Sequence, residues 1–212
     1  MTHRVLNGLS TLVVTAIVLF GIAFTAAHFI QPPYNDRFDE HPVIVKIHVI
    51  FGIFYLVAGA FQFSPWLRRR FIQYHRAAGR LLAAAALVIG ASAIFIGLVI
   101  PFSGRAEQMI ITVFGAYYLF SIVAAIICIR TGQIDAHREW MIRAYAIGSS
   151  IVTMRLIFIP LLIATGAPSR EMVADLSIAS FTLAFVLHAA LAEWWLSYTR
   201  GVTAGAGGAA SK

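Results

Sequence analysis

This sequence has little charge and almost no cysteine. Of its 212 residues only 12% are Asp, Glu, Lys or Arg, whereas 60% are hydrophobic, and the mean hydropathy is +0.83. A soluble domain of this length cannot bury so much apolar surface, so the bilayer must be the solvent for most of the chain. The single cysteine, Cys128, excludes a disulfide or a cysteine metal site within one chain.

Recognisable catalytic motifs are also lacking. The sequence contains no phosphate-binding loop, no zinc-protease motif and no dinucleotide fingerprint, so it leaves open whether the protein is an enzyme. The formal charge of +7 does not indicate nucleic-acid binding, because the arginines lie at the ends of apolar runs. Basic residues at such positions orient membrane helices and contact anionic lipid. We therefore expect membrane lipids as partners and no nucleic acid.

Six apolar segments are long enough to cross a bilayer, which takes about 20 residues. They are residues 5–29, 43–63, 81–101, 108–129, 144–165 and 176–197. The first segment is too long for the core of a signal peptide and is interpreted as a retained helix. The sequence therefore predicts an all-α integral membrane protein, with a single membrane domain over residues 1–212 and a disordered tail at 200–212.

The lysines and arginines predict the orientation of these spans. If the N-terminus is inside, eleven basic residues lie on the cytoplasmic side, and only Arg37, Arg105 and Arg170 lie outside. The remaining two, Lys46 and Arg155, fall inside spans. This positive-inside distribution predicts that both termini are cytoplasmic.

The middle of the chain is predicted to be an internal duplication. Residues 51–56 (Phe-Gly-Ile-Phe-Tyr-Leu) match residues 114–119 (Phe-Gly-Ala-Tyr-Tyr-Leu) at an offset of 63. Basic residues recur at nearly the same offset, namely His75-Arg76 with His137-Arg138 and Arg80 with Arg143. The sequence therefore predicts a four-helix core over 43–165, built from two parallel hairpins. The hairpins are residues 43–101 and 108–165, flanked by helices at 1–30 and 175–199.

The same residues resemble a known family. The motifs are Gln62-Phe63, Leu67-Arg68, His75-Arg76-Ala77-Ala78-Gly79-Arg80, His137-Arg138-Glu139-Trp140-Met141-Ile142-Arg143 and Arg155-Leu156. Over residues 43–165 they resemble the bacterial membrane proteins catalogued as domain of unknown function 2306. The resemblance implies a multi-pass protein of the bacterial inner membrane, and it implies no activity.

The two basic segments between the repeat helices, which the sequence predicts to be cytoplasmic loops, are the first candidate site. If the duplication is real, histidines and arginines converge near the inner headgroups, where arginine offers a planar donor fork for phosphate or carboxylate. The predicted ligand-binding residues are His75, Arg76, Arg80, His137, Arg138, Trp140 and Arg143. The alternative is that these residues only orient and anchor helices, with Asp135 or Glu139 pairing with the arginines.

Arg155 is the second candidate. It lies near the middle of the fifth span, where an unpaired charge costs several kcal/mol, so we expect it to face the bundle interior and to have a partner. That partner would be a backbone carbonyl, a polar side chain such as Ser92, or a bound anion. We expect Arg155 to belong to the ligand site or to a polar network.

Histidines in the apolar segments are the third candidate. His28, His41 and His48 cluster near the predicted outer side, and histidine is the usual axial ligand of haem b as well as a metal ligand. Against a haem, His48 and His188 differ in depth by roughly 12 Å at 1.5 Å per residue. The repeat places Thr112, not a histidine, near the position equivalent to His48. The alternative is a packed, hydrogen-bonded histidine.

Two functions remain open from the sequence. The first is a protein that binds or moves a small anionic or lipid-like ligand through a helical bundle, which the placement of the arginines favours. The second is a membrane redox protein that binds haem b or a quinone, which the number of histidines favours. The sequence identifies neither the ligand nor the oligomeric state.

Overall fold

The computed structural model describes residues 36–166 and 169–209, which are helical and contain no strand. After a short 3₁₀ helix (Asp36–Glu40), the α-helices are α1 (Pro42–Gln62), α2 (Pro65–Arg70), α3 (Ile72–Val99), α4 (Gly104–Arg130), α5 (Ile134–Ala164) and α6 (Arg170–Ala209). All of these α-helices except α2 are long and apolar enough to cross a membrane. The all-α membrane fold and five of the six predicted spans are thereby confirmed. The first predicted span, residues 5–29, lies outside the described residues.

The helix ends follow from local sequence. Pro42 occupies the first turn of α1, where a missing N–H costs nothing. The Ser64 hydroxyl caps α2 by accepting a hydrogen bond from the backbone N–H of Leu67. α4 ends at Arg130, and Gly132 in the turn that follows has a φ of 77°, which suits glycine. The N–H of Gln133 donates to the carbonyl of Cys128 at 2.8 Å. That bond closes a Schellman turn and lets α5 begin within three residues.

Two helices begin well before the apolar segments that mark them. α3 starts at Ile72 where the sequence predicts a span from residue 81, and α5 starts at Ile134 where it predicts one from residue 144. Hydropathy detects only the apolar part of a helix, whereas the preceding Ala, Arg, Gln and Glu residues are good helix formers. The basic segments are therefore largely helical extensions and not loops. The backbone of α6 likewise stays helical to Ala209, where the sequence predicts a disordered tail from residue 200.

The chain divides into two compact units, Met1–Leu119 and Phe120–Lys212, with the boundary inside α4. In unit 1, α1 packs along α3, and α3 packs closely on the first half of α4. The close approach needs glycine, since a Cβ added at Gly90 would lie 2.4 Å from Leu119 Cδ2, and one at Gly97 would lie 2.5 Å from Ile111 Cγ2. Small residues at such contacts let membrane helices approach.

Tyr55 and Tyr118 meet in the core of unit 1. Both are buried, and their rings pack edge to face with centroids 6.0 Å apart. They also hold the same position in the two matching motifs, at the offset of 63. Equivalent residues meet when they lie beside a twofold axis, so the contact agrees with the predicted duplication, which stays a prediction.

In unit 2, α5 packs along α6. Buried small residues such as Ala144, Ser150 and Ala184 lie on these helices and permit close packing. Pro160 lies inside α5 and leaves the carbonyl four residues earlier without its usual helical donor.

Candidate functional site

The first basic segment, residues 64–80, comprises α2 and the first turns of α3 in unit 1. Its five arginines are Arg68, Arg69, Arg70, Arg76 and Arg80. Arg76 and Arg80 are exposed on α3, and His75 beside them is half-buried. Two large aromatic side chains near the arginines are exposed, Trp66 to 64% and Tyr74 to 60%. Such a mixture of cations and exposed aromatics is typical of a segment at the level of lipid headgroups.

No acidic residue balances this charge nearby in the sequence. From residue 41 to residue 106 the chain contains neither Asp nor Glu. Among residues 36–166 and 169–209, none of the five arginines takes part in an ion pair. The guanidinium of Arg70 lies 5.9 Å from the ring of Phe71, a cation–π distance. The first basic segment therefore presents uncompensated positive charge.

The second basic segment, residues 130–143, begins α5 in unit 2. His137 is the fourth residue of α5, as His75 is of α3, and each backbone N–H bonds at 2.9 Å to the carbonyl four residues before it. His137 Nδ1 lies 2.9 Å from the carbonyl oxygen of Ala125. Since a carbonyl only accepts, Nδ1 donates, and this fixes the tautomer of the neutral ring with its lone pair on Nε2. Arg138 is exposed.

Four charged side chains on α5 and α6 form what we name the charged quartet: Glu139, Arg143, Glu193 and Arg200. Arg143 donates to Glu193 through Nε at 2.5 Å and Nη2 at 2.9 Å, and its Nη1 lies 3.7 Å from Glu139. Arg200 binds Glu139 in the same two-point manner, with Nε to Oε1 at 2.7 Å and Nη2 to Oε2. The quartet is neutral, and its bidentate pairs are the stronger kind of charged hydrogen bond.

Trp140 completes this arrangement. Its ring lies 4.6 Å from the guanidinium carbon of Arg143, a cation–π contact, and packs edge to face on Phe120 at 5.3 Å. The side chain of Arg143 is only 11% exposed as a result. Glu139 thus pairs with arginine, one of the two pairings that the alternative interpretation of the sequence offered, and the donors of Arg143 already face two carboxylates.

The quartet includes two residues that the sequence did not assign to the site, Glu193 and Arg200. A signal was present, because Glu139 and Arg143 are four residues apart and Glu193 and Arg200 are seven apart, spacings that place each pair on one helix face. Only the antiparallel packing of α5 on α6 shows that each arginine faces a glutamate of the other helix, Arg143 facing Glu193 and Arg200 facing Glu139.

Arg155 is half-buried within α5. Ser92, which the sequence offers as a partner for it, hydrogen-bonds within unit 1. Its hydroxyl lies 2.7 Å from the carbonyl of Val88 and 2.9 Å from Nδ1 of His48. Because the hydroxyl must donate to the carbonyl, His48 Nδ1 donates to the serine, and the neutral imidazole has its lone pair on Nε2.

The other candidate histidines have different surroundings. His188 bonds through both nitrogens, with Nδ1 2.8 Å from the carbonyl of Ala146 and Nε2 2.8 Å from the Thr153 hydroxyl, so it is a packed, hydrogen-bonded histidine. His41 packs edge-on against Phe95. His28 lies outside the described residues. Within residues 36–166 and 169–209, no group of three or more His, Cys, Asp or Glu side chains has the arrangement of a metal site.

Comparison with known proteins agrees with the membrane architecture. Residues 45–196 match the model of a family described as predicted membrane protein (DUF2306). The chain belongs to this family. The match extends beyond the four repeat helices into α6, so it includes Glu193 of the charged quartet. No curated protein and no solved structure matches the chain.

Proposed function

We propose that this DUF2306 protein binds a small anionic or lipid-like ligand, through a phosphate or carboxylate group, at the first basic segment. The observation that carries the proposal is the uncompensated charge of that segment. Five arginines lie within residues 64–80, and no carboxylate lies between residues 41 and 106. In the second basic segment, by contrast, Arg143 already faces two glutamates.

The side chains of the first basic segment suit an anionic headgroup. Guanidinium groups bind phosphate and carboxylate oxygens in pairs, and Arg76 and Arg80 are four residues apart on α3 and therefore on one helix face. Trp66 and Tyr74 offer rings with one polar atom, which favours the boundary between hydrocarbon and headgroups. A cytoplasmic position for the segment and both termini, in a bacterial inner membrane, belongs to the same proposal and is supported by the positive-inside distribution.

The competing explanation is that these arginines only orient the helices. Removing Arg76 and Arg80 as Arg76→Gln/Arg80→Gln distinguishes the two. The matched control is Arg105→Gln/Arg170→Gln, which makes the same change of charge at two exposed arginines. Arg105 begins α4 beyond the far end of α3, which extends about 30 Å along its axis from Arg80 to Val99 at 1.5 Å per residue.

The measurement is calorimetric titration of the purified protein in neutral detergent. The probes are short-chain phosphatidylglycerol, short-chain phosphatidylcholine and inorganic phosphate. Each arginine near an anionic surface contributes about 1 kcal/mol, so the site variant should bind phosphatidylglycerol roughly 30-fold more weakly, and the control should bind normally. Phosphate binding without lipid binding would identify a soluble anion as the ligand. Equal losses in both variants, or no binding of either anion, would overturn the proposal.

A further inference from the structure

We infer that the second basic segment is a duplicate of the same anion site and that Glu193 of α6 holds it closed. The inference rests on the proposed function and on the predicted duplication. His75 and His137 are each the fourth residue of their helix, at an offset of 62, with the same backbone bond at 2.9 Å. Arg80 is the ninth residue of α3 and Arg143 the tenth of α5, at an offset of 63. The two segments thus place the same residue types on corresponding helical turns, with the arginine shifted by one residue.

The difference between the segments lies in what faces the equivalent arginines. Arg80 is exposed and makes no ion pair with the described residues. Arg143 is covered, and its Nε and Nη2 point to the two oxygens of Glu193. Those two N–H groups are the fork that would hold two oxygens of a phosphate. Glu193 therefore occupies the position that a ligand anion would take.

The other contacts around Arg143 make it difficult for a free anion to displace Glu193. Glu139 lies 3.7 Å from the third nitrogen of Arg143 and is itself held by Arg200. Trp140 covers one face of the guanidinium at 4.6 Å. A free anion must also compete with a carboxylate carried by the same chain, which acts at a high effective concentration. The wild-type chain should consequently bind one anion and not two.

The experiment opens the closed site. Glu193→Gln keeps the size of the side chain and removes its charge, and Glu171→Gln makes the same change on the same helix about 33 Å away, at an exposed position. Native mass spectrometry and calorimetry with short-chain phosphatidylglycerol give the stoichiometry and affinity. We expect one bound lipid for the wild type and for Glu171→Gln, and two for Glu193→Gln. Since each charge near the site is worth about 1 kcal/mol, the affinity of the second site should rise roughly tenfold, from too weak to detect in the wild type to measurable in Glu193→Gln.

Glu193→Asp is the companion variant. It keeps the charge and withdraws the carboxylate by one methylene, so it should open the site only in part, and it tests the inference if the glutamine variant does not fold. A wild-type chain that binds two lipids with equal affinity contradicts the inference by itself. So does a folded Glu193 variant whose stoichiometry is unchanged.

The outcomes separate this inference from the proposed function. If the wild type binds one lipid and Glu193→Gln still binds one, the first basic segment is a site and the closed duplicate does not exist. If the wild type binds none and Glu193→Gln binds one, the second basic segment is a closed site and the first basic segment is not a site.

Discussion

The ion pair between Arg143 and Glu193 offers the sharpest test of what holds α5 to α6. The perturbation is a double-mutant cycle of Arg143→Gln, Glu193→Gln and the combined variant. The cycle isolates the coupling between the two side chains from the effect of each substitution alone. Arg143→Gln should cost more than Glu193→Gln, because it also removes the contacts with Glu139 and Trp140.

The magnitude follows from geometry and exposure. The pair is bidentate, at 2.5 and 2.9 Å, and the side chain of Arg143 is 11% exposed while that of Glu193 is 49% exposed. Exposed pairs couple by about 0.2–1 kcal/mol, and breaking a buried pair costs about 3–5 kcal/mol. We expect a coupling free energy between these limits, about 1–3 kcal/mol, because the pair is covered on one side only.

The assay is reversible unfolding in mixed micelles, followed by circular dichroism as the denaturing detergent increases. A second cycle on Arg37 and Glu40 provides the control. That pair is 3.4 Å apart, with side chains 45% and 53% exposed, so its coupling should stay below about 1 kcal/mol. If the coupling of Arg143 to Glu193 does not exceed that of the control, the charged quartet does not stabilise unit 2 and our reasoning is refuted.

Three further predictions address packing, Arg155 and the haem hypothesis. Gly90→Ala should destabilise the fold by about 1–2 kcal/mol in the same unfolding assay, because the added Cβ would overlap side chains of α4. The control is Gly52→Ala, whose added Cβ would have no neighbouring atom within 4 Å, so it should be neutral or stabilising. If Arg155 belongs to the ligand site, as the sequence analysis expects, Arg155→Leu should abolish thermal stabilisation by phosphatidylglycerol and leave expression intact, whereas stabilisation that survives would make Arg155 structural. The visible spectrum of the purified protein should lack a Soret band, whereas a stoichiometric band lost in His48→Ala would establish haem b.

The spans could be predicted because hydropathy alone determines which segments enter a bilayer. The polar extensions of α3 and α5 were missed for the same reason, since Arg, Gln and Glu continue a helix without making it apolar. The contacts of the candidate residues could be predicted only in part, and the site itself stays a prediction. His75 and His137 do share a helix position, but the pairing of Arg143 with Glu193, 50 residues apart in sequence, depends on how α5 packs on α6. No pattern within either helix specifies that register.

The hydrogen-bond partners of the histidines could not be predicted either, because they depend on how the helices pack. The sequence places His48 and His188 in apolar segments, where a histidine either ligates a metal or packs with internal hydrogen bonds. Their hydrogen-bond partners come from other helices: Ser92 for Nδ1 of His48, and Ala146 with Thr153 for the two nitrogens of His188. Serine and threonine are so common in membrane helices that their presence alone would not have identified these bonds.

The charged quartet also has a consequence for the order in which the chain is made. α5 leaves the ribosome before α6, so Arg143 must wait for Glu193, and Glu139 for Arg200. Until then Glu139 and Arg143 lack their partners on α6, although Arg143 keeps the contact with Glu139, 3.7 Å away on the same helix. Insertion of α6 therefore completes the charged quartet, and a chain stopped after residue 166 would lack one partner of each interhelical pair in it. On this view, the insertion of the last helix is a late step that completes the assembly of the membrane domain.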